Sequence, residues 1–292
     1  MSTPPRSRFV EIRRLRYHVH EWGRAGAPPI VMLHGWMDVG ASFQFVVEAL
    51  RGDWHVLAPD WRGYGKTAWS GADAYWFPDY LGDLDALLAA LVPDVPPLLV
   101  GHSMGGNIAT LYGGIRPQRV RAIVNLEGFG LRDVAATEAP ARYARWLDDL
   151  AQQARLRDYG SIDEVAARLQ TNNPRLSAAR AAWLAQHWSE PTGNGRRRIA
   201  GDPAHKRVNP VPYRWAEVAA CWQRIEVPVL WVEAADTDAH KWAGSRADID
   251  GRIAQLRNVR TASVAHAGHM LHHDQPEQVA ALIEDFASTL PA

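Results

Sequence analysis

The feature that most constrains this chain is a serine between two glycines, in a turn that separates an apolar run from a helical pattern. The run PLLV (97–100) leads into GHSMG (101–105), and helical periodicity follows over 104–115. A β-carbon at either glycine would collide with nearby backbone, so the pattern predicts a sharp strand-to-helix turn that lifts the serine hydroxyl above a sheet. The bare pattern occurs often by chance, but this context makes Ser103 the predicted nucleophile.

Short apolar runs recur along the chain and end at Gly, Pro, Asp or His. Such runs are typical of strands buried on both faces of a parallel sheet, and helical patterns lie between them. Two opening segments alternate apolar and polar residues instead, which predicts an antiparallel edge hairpin. Together these eight segments predict an α/β fold with a mostly parallel, eight-stranded, doubly wound sheet. The six runs cover residues 29–35, 54–60, 97–103, 120–127, 227–233 and 259–265.

The strand–helix alternation is interrupted between residues 131 and 215. Helical patterns occupy the first part, and a basic, loop-like stretch with Arg196–Arg198 follows. Because a structureless loop of this length is rare in a compact domain, we predict a helical cap over a core of 1–130 and 216–292. Its candidate pocket-lining residues are three tryptophans: Trp146, Trp183 and Trp188.

Composition excludes several classes of function. Lys plus Arg equals Asp plus Glu at 32 each, so no net charge attracts nucleic acid or an anionic membrane. No apolar run is long enough to span a bilayer, and the first 20 residues lack the apolar core of a secretory signal. The lone Cys221 makes no internal disulfide, which favours a reducing, cytoplasmic location. No metal or cofactor is expected, since the sequence has no ligand-spaced His/Cys/Asp cluster and no phosphate loop.

Two further segments supply partners for Ser103. The turn HGWM (34–37) follows an apolar run, and there the Trp36 amide can point at a developing oxyanion. The Met104 amide, at the positive end of a helix, is the second expected donor. His34 and His102, beside these donors, are candidate substrate-binding residues. The general base must follow the last strand, and of the histidines there only His269 comes directly after a glycine, which selects it.

These motifs resemble a known family. The chain is similar to the α/β-hydrolase fold from about residue 8 onward. The segments 34–43, 58–67 and 99–109 are similar to its kraken-like and serine-hydrolase-like members. The resemblance implies a Ser–acid–His order and assigns the insertion as a cap that shapes the substrate pocket.

The acid is the one departure from the family pattern. The usual aspartate position after the strand 227–233 holds Thr237, with Asp236 one residue out of register. Glu127 ends the earlier strand 120–127, where some haloalkane dehalogenases of this fold carry their acid. We therefore predict Glu127 as the triad acid and keep Asp236 as the alternative.

The resemblance and the motifs predict a serine hydrolase that cleaves carboxylic esters, with a small and apolar ester as its partner. Dehalogenation and epoxide opening are excluded, because a serine would form an ether that water cannot cleave. Thioester, lactone, amide and C–C bond hydrolysis and perhydrolysis fit the same residues, as does a receptor that keeps the triad for ligand binding. A homodimer also stays open.

Overall fold

The computed structural model describes residues 4–193 and 195–291. The strands, numbered along the chain, are β1 Arg6–Ile12, β2 Leu15–Gly23, β3 Pro29–Leu33, β4 His55–Pro59, β5 Leu98–His102, β6 Ala122–Leu126, β7 Asp158–Tyr159, β8 Ser189–Gly193, β9 Arg196–Ile199, β10 Val229–Ala234 and β11 Val259–Val264. The helices are α1 Gln44–Ala49, α2 Phe77–Leu91, α3 Met104–Ile115, α4 Ala139–Leu150, α5 Ile162–Asn172, α6 Ala178–Trp188, α7 Trp215–Trp222, α8 Arg246–Ile253, α9 Leu271–Asp274 and α10 Pro276–Ser288.

Eight strands form the central sheet, in the order β1-β2-β4-β3-β5-β6-β10-β11. The pairs β1–β2 and β2–β4 are antiparallel, and every other pair in this sheet is parallel. The predicted α/β class, the edge hairpin and the eight-stranded sheet are therefore confirmed. The carboxyl ends of β5, β6 and β10 meet at one edge, since Gly101 pairs with Asn125 and Leu126 pairs with Val232.

Helices cover both faces of this sheet, which explains why its central strands are apolar throughout. Along β3, Val31 and Leu33 join a core beneath α2, α3 and α7, while Ile30 and Met32 join a second core beneath α1 and α10. Strands β3 to β6 are buried on both sides almost without interruption. No helix in the described ranges is long and apolar enough to cross a membrane.

The insertion at 131–215 adds no strand to the central sheet, but it is not purely helical. Helices α4, α5 and α6 are accompanied by a small antiparallel sheet of order β7-β9-β8. The stretch interpreted as a basic loop thus contains a hairpin, in which Arg198 pairs with Glu190. The sequence hid these strands because they are short, have few buried residues and, in β9, consist mostly of arginine. A small core of its own, including Val165 and Leu184, holds α5, α6 and the small sheet together.

Candidate active site

Ser103 stands in the strained turn between β5 and α3. Its φ of 52° lies in the left-handed region, which a non-glycine residue adopts at a cost and which recurs at functional sites. The flanking glycines permit the turn: a β-carbon on Gly101 would lie 2.4 Å from the backbone of Gly105. One on Gly105 would lie 2.0 Å from the Leu33 oxygen. The turn therefore requires both glycines of the motif and presents Ser103 at the carboxyl edge of the sheet.

His269 lies between Ser103 and a carboxylate. Its Nε2 is 3.0 Å from Ser103 Oγ, and its Nδ1 is 3.2 Å from Glu127 Oε2. Nδ1–H donates to the carboxylate, which leaves Nε2 free to accept the serine proton. The turn after β11 carries the ring, and Trp242 packs edge-on against it with centroids 4.8 Å apart. The structure thus brings three of the residues singled out from the sequence into one hydrogen-bonded chain.

The Glu127 carboxylate, at the end of β6, accepts three hydrogen bonds: the one from His269 described above and two more. Its side chain is fully buried, and its φ is 60°. Oε1 accepts a hydrogen bond from the Ala234 amide at 2.6 Å, and Oε2 accepts one from the Thr237 hydroxyl at 2.5 Å. Thr237, which occupies the position of the usual aspartate, therefore binds the carboxylate that is predicted to take its role. These bonds fix the orientation of Glu127 toward His269 and compensate for burying its charge.

Asp236 has a different environment. Its side chain is 52% exposed and pairs with Arg175, with 2.9 Å between Asp236 Oδ2 and Arg175 Nη2. Within the described residues it makes no hydrogen bond to His269. Its backbone amide donates to the Ala267 carbonyl, which fixes this loop with Thr237, not Asp236, toward the buried carboxylate. The alternative acid is therefore not brought to the imidazole.

The expected oxyanion donors flank the serine. A β-carbon built on Gly35 would lie 3.3 Å from Ser103 Cβ, so the turn carrying Trp36 adjoins the hydroxyl. Met104 opens α3, where an amide has no acceptor within the helix. Across the described part of the chain, neither amide has a protein acceptor. Both are free to bind an anionic oxygen, and the assignment of Trp36 and Met104 stays a prediction.

The two histidines predicted to bind substrate do not reach the cavity. His34 is fully buried, with Nδ1–H donating to the Gly35 carbonyl and Nε2 accepting the Trp61 amide, both at 2.8 Å. His102 is buried, and its Nε2–H donates to the His269 carbonyl at 2.8 Å. Burial lowers the pKa of His34 and lowers that of His102 well below its usual range. Both are neutral supports of the neighbouring turns, so this prediction is wrong.

A cavity of ≈ 610 Å³ opens over Ser103, His269 and Met104. None of the three candidate tryptophans lines it. Trp188 Nε1 donates to Asp38 at 2.8 Å and so faces the core, whereas Trp183 stacks on His187 at 4.0 Å and lines a separate surface pocket beside Phe45. Trp146 is also absent from the wall. The lining residues that the sequence analysis missed include Tyr75, Trp76, Phe77, Tyr80, Phe129, Arg142, His205, Arg207, Asn209 and Trp242. The consecutive aromatics 75–77, which lead into the first residue of α2, were the available signal.

Two buried groups of histidine and carboxylate side chains lie outside this chain of residues. In each group the potential ligand atoms are all within 4.8 Å of one another: His18, His20 and Asp60 in one, Asp38, His272 and His273 in the other. In the first group the side chains are already hydrogen-bonded to each other, since His18 Nδ1 is 2.8 Å from Asp60 Oδ2. The second is looser, with His272 Nε2 3.5 Å from Asp38 Oδ2. Sequence spacing missed both because distant segments build them.

This fold and turn geometry define an α/β hydrolase. The family model described as alpha/beta hydrolase fold matches residues 28–276, and the chain belongs to that family, as the sequence resemblance predicted. It is 29% identical to the 3-hydroxybutyrate-oligomer hydrolase of Cupriavidus necator, over 96% of this chain and 97% of that one. A serine hydrolase-like protein of Danio rerio is 29% identical over 53% of this chain, which spans 49% of that relative. In fold, the chain resembles the thioesterase domain of the curacin biosynthetic pathway, with a TM-score of 0.88, 24% identity and coverage of 97% and 100%.

Proposed function

We propose that this α/β hydrolase cleaves carboxylic esters through an acyl-enzyme formed on Ser103. One observation carries the proposal: Ser103 Oγ, His269 and Glu127 form a continuous hydrogen-bonded chain, and Ser103 opens into a cavity. A serine is a weak nucleophile unless an adjacent base takes its proton. The distances from His269 to Ser103 and to the buried Glu127 carboxylate support His269 as that base and Glu127 as the group that orients it.

The reaction has two halves. Ser103 Oγ attacks the ester carbonyl carbon as its proton passes to His269 Nε2, and the carbonyl oxygen becomes the oxyanion held by the Trp36 and Met104 amides. Collapse breaks the ester C–O bond, and the imidazolium protonates the leaving alcohol. Water then enters, loses a proton to His269 and attacks the acyl carbon. The second collapse releases the carboxylic acid and returns the proton to Ser103.

Ester cleavage has support beyond the geometry. A hydrolase of 3-hydroxybutyrate oligomers acts on molecules whose units are joined by ester bonds, and it aligns with this chain over nearly its whole length. A serine nucleophile also limits the chemistry: an acyl-serine is hydrolysed by the same base, whereas the ether left by opening a halide or an epoxide is not. Thioester, lactone and amide cleavage use the same steps and remain alternatives within the mechanism.

The test is covalent labelling combined with turnover. A fluorophosphonate should modify one residue, Ser103, as mapped by peptide mass spectrometry, and p-nitrophenyl esters of increasing acyl length should be turned over repeatedly. The matched control is Ser103→Ala, which removes only the hydroxyl. A receptor that retained these residues would give a single slow burst of p-nitrophenol or none. That result, or labelling at another residue, would overturn the proposal.

A further inference from the structure

Two arginines from the insertion face the cavity that contains Ser103. Arg142 projects from α4, and Arg207 follows the short helical turn Pro203–Lys206. In the described ranges Arg142 forms no ion pair. The nearest carboxylate to Arg207 is Asp73, with 3.6 Å between Nη1 and Oδ1, and the Asp73 side chain is 67% exposed. Solvent screens such a pair, so two positive charges border the cavity with little compensation from the protein.

Their hydrogen-bonding capacity is also largely unused. Arg142 Nε donates to the Asn209 carbonyl at 2.6 Å, while Arg207 Nη1 contacts the Asp73 carbonyl at 3.4 Å. Arg207 Nε is buried and has no hydrogen-bond partner among the described residues. By contrast, the buried Arg62 is fully engaged by Asp79 and Asp83. Buried guanidinium donors left unpaired are costly, and Arg207 retains them at a cavity wall.

The rest of the wall neither neutralises these charges nor competes with a ligand for them. Glu127 is the one acidic side chain among the lining residues, and its carboxylate is already bonded to Ala234, Thr237 and His269. The remaining surface is mostly aromatic, with Trp76 and Phe77 among its members. The cavity therefore combines a reactive serine, an apolar body and a cationic patch. A ligand that matches all three carries an acyl carbonyl, a carbon chain and an anionic group.

We propose that Arg142 and Arg207 bind a carboxylate on the substrate, so that the preferred esters carry a free carboxylate away from the bond that is cleaved. This rests on the proposed ester hydrolysis and replaces the expected purely apolar ester. A guanidinium pairs with a carboxylate through two parallel hydrogen bonds, which are stronger than neutral ones and directional. The arginines thus select the substrate, and Ser103 attacks the ester bond that is cleaved.

The experiment compares matched esters in matched variants. The probes are p-nitrophenyl hemiesters of adipic, suberic and sebacic acid, each beside its terminal carboxamide of equal length. We expect the native protein to favour the carboxylate in kcat/KM by at least about tenfold at one length, the size of one charge-assisted hydrogen bond. The double variant Arg142→Met/Arg207→Met should lower this ratio about tenfold or more. Because both rates come from one preparation, the ratio is insensitive to a loss of folded protein.

Arg145→Met is the control, since Arg145 is exposed on the same helix and does not line the cavity. It should keep the native ratio. A native ratio near one, or a ratio that survives in the double variant, would overturn this inference while ester hydrolysis stands. A terminal sulfonate preferred over the carboxylate would overturn the choice of carboxylate. If no ester is hydrolysed and Ser103 stays unlabelled, the proposed function fails and this inference fails with it.

Discussion

The carboxyl edge of the central sheet and the insertion supply different parts of one cavity. At the edge, Ser103, Glu127 and the turn carrying Trp36 stand at the ends of parallel strands whose register is fixed by hydrogen bonds. The insertion contributes Arg142 and Arg207 from a helix and a loop. The proposed chemistry thus rests on rigid strand ends, and the proposed specificity rests on a helix and a loop that lie outside the small core of the insertion. Changes at the edge should alter kcat, whereas changes in the insertion should alter substrate choice or local stability.

The largest effect is expected from Ser103→Ala. Removing the nucleophile of a serine hydrolase typically lowers kcat by ~10⁴–10⁶, and the change should leave the fold intact because it removes a single oxygen atom. Turnover of a p-nitrophenyl ester and the melting temperature measure the two outcomes. Native turnover in the purified variant would mean that Ser103, and the sheet edge that carries it, takes no part in the reaction.

The next-largest effect distinguishes the two candidate acids, Glu127 and Asp236, which follow neighbouring strands of the sheet. Glu127→Gln should lower kcat by roughly 10⁴ with little change in KM, since an amide no longer stabilises the imidazolium. Asp236→Asn is the matched change, and it should leave kcat nearly unaltered because Asp236 is exposed and paired with Arg175. Turnover of one good ester by both variants, each checked for folding, decides the assignment. A crippled Asp236→Asn beside a nearly normal Glu127→Gln would reverse it.

The sheet edge and the insertion also differ in how much of each could be predicted from the sequence. Burial on both faces leaves an apolar signature on each core strand, and the turn after β5 has steric needs that only glycines meet, so the fold and Ser103 were accessible. Glu127 could be chosen because Thr237 stands where an acid is usual. The structure adds a hydrogen bond between those two residues, which spacing alone does not predict.

The structure of the insertion was harder to predict from the sequence, for physical reasons. Its hairpin has few buried residues, so burial imposed no clear periodicity on partly exposed residues such as Arg198 and Glu190. Its tryptophans were assigned to the pocket because they are large and apolar, but such residues are equally suited to packing within the protein. Trp188, for example, is hydrogen-bonded to Asp38. His34 and His102 were placed against substrate by proximity in sequence. Their backbone hydrogen bonds turn both rings inward.

A smaller effect tests whether the insertion unfolds separately. Leu184 is fully buried in the insertion's own core with Val165 and Ala181. Leu184→Ala should lower local stability by about 2–5 kcal/mol, through lost burial and the cavity left behind. Hydrogen exchange should therefore accelerate in α5 and α6 while β5 and β6 keep their protection. Equal acceleration in β5 and β6 would mean that the two regions unfold as one unit.

The smallest effect, counted for each titrating group, concerns pH. Burial lowers the pKa of His205 from 6.5 to about 3 and holds the pKa values of His102 and His273 well below 6.5. The folded protein keeps these rings neutral while the unfolded chain binds protons below about pH 6.5. The free energy of unfolding should therefore fall as pH drops from 6.5 toward 5, with a slope for each such ring that grows from about 0.7 to about 1.4 kcal/mol per pH unit as the unfolded imidazole becomes fully protonated. The carboxyl pKa of Asp38, lowered to about 2, acts only at lower pH. Denaturant unfolding across this range measures the slope.

His205 offers the way to divide that slope between the two regions. It belongs to the insertion and is stacked between Tyr64 and Tyr75, with both centroid distances 3.8 Å, whereas His102 and His273 belong to the core. His205→Gln keeps a polar side chain but cannot titrate, so it should reduce the slope by up to about 1.4 kcal/mol per pH unit. Asn209→Ala, on the same cavity wall, should leave the slope unchanged because it removes no titrating group. An unaltered slope in His205→Gln would mean that the insertion opens and hydrates this ring before the sheet unfolds.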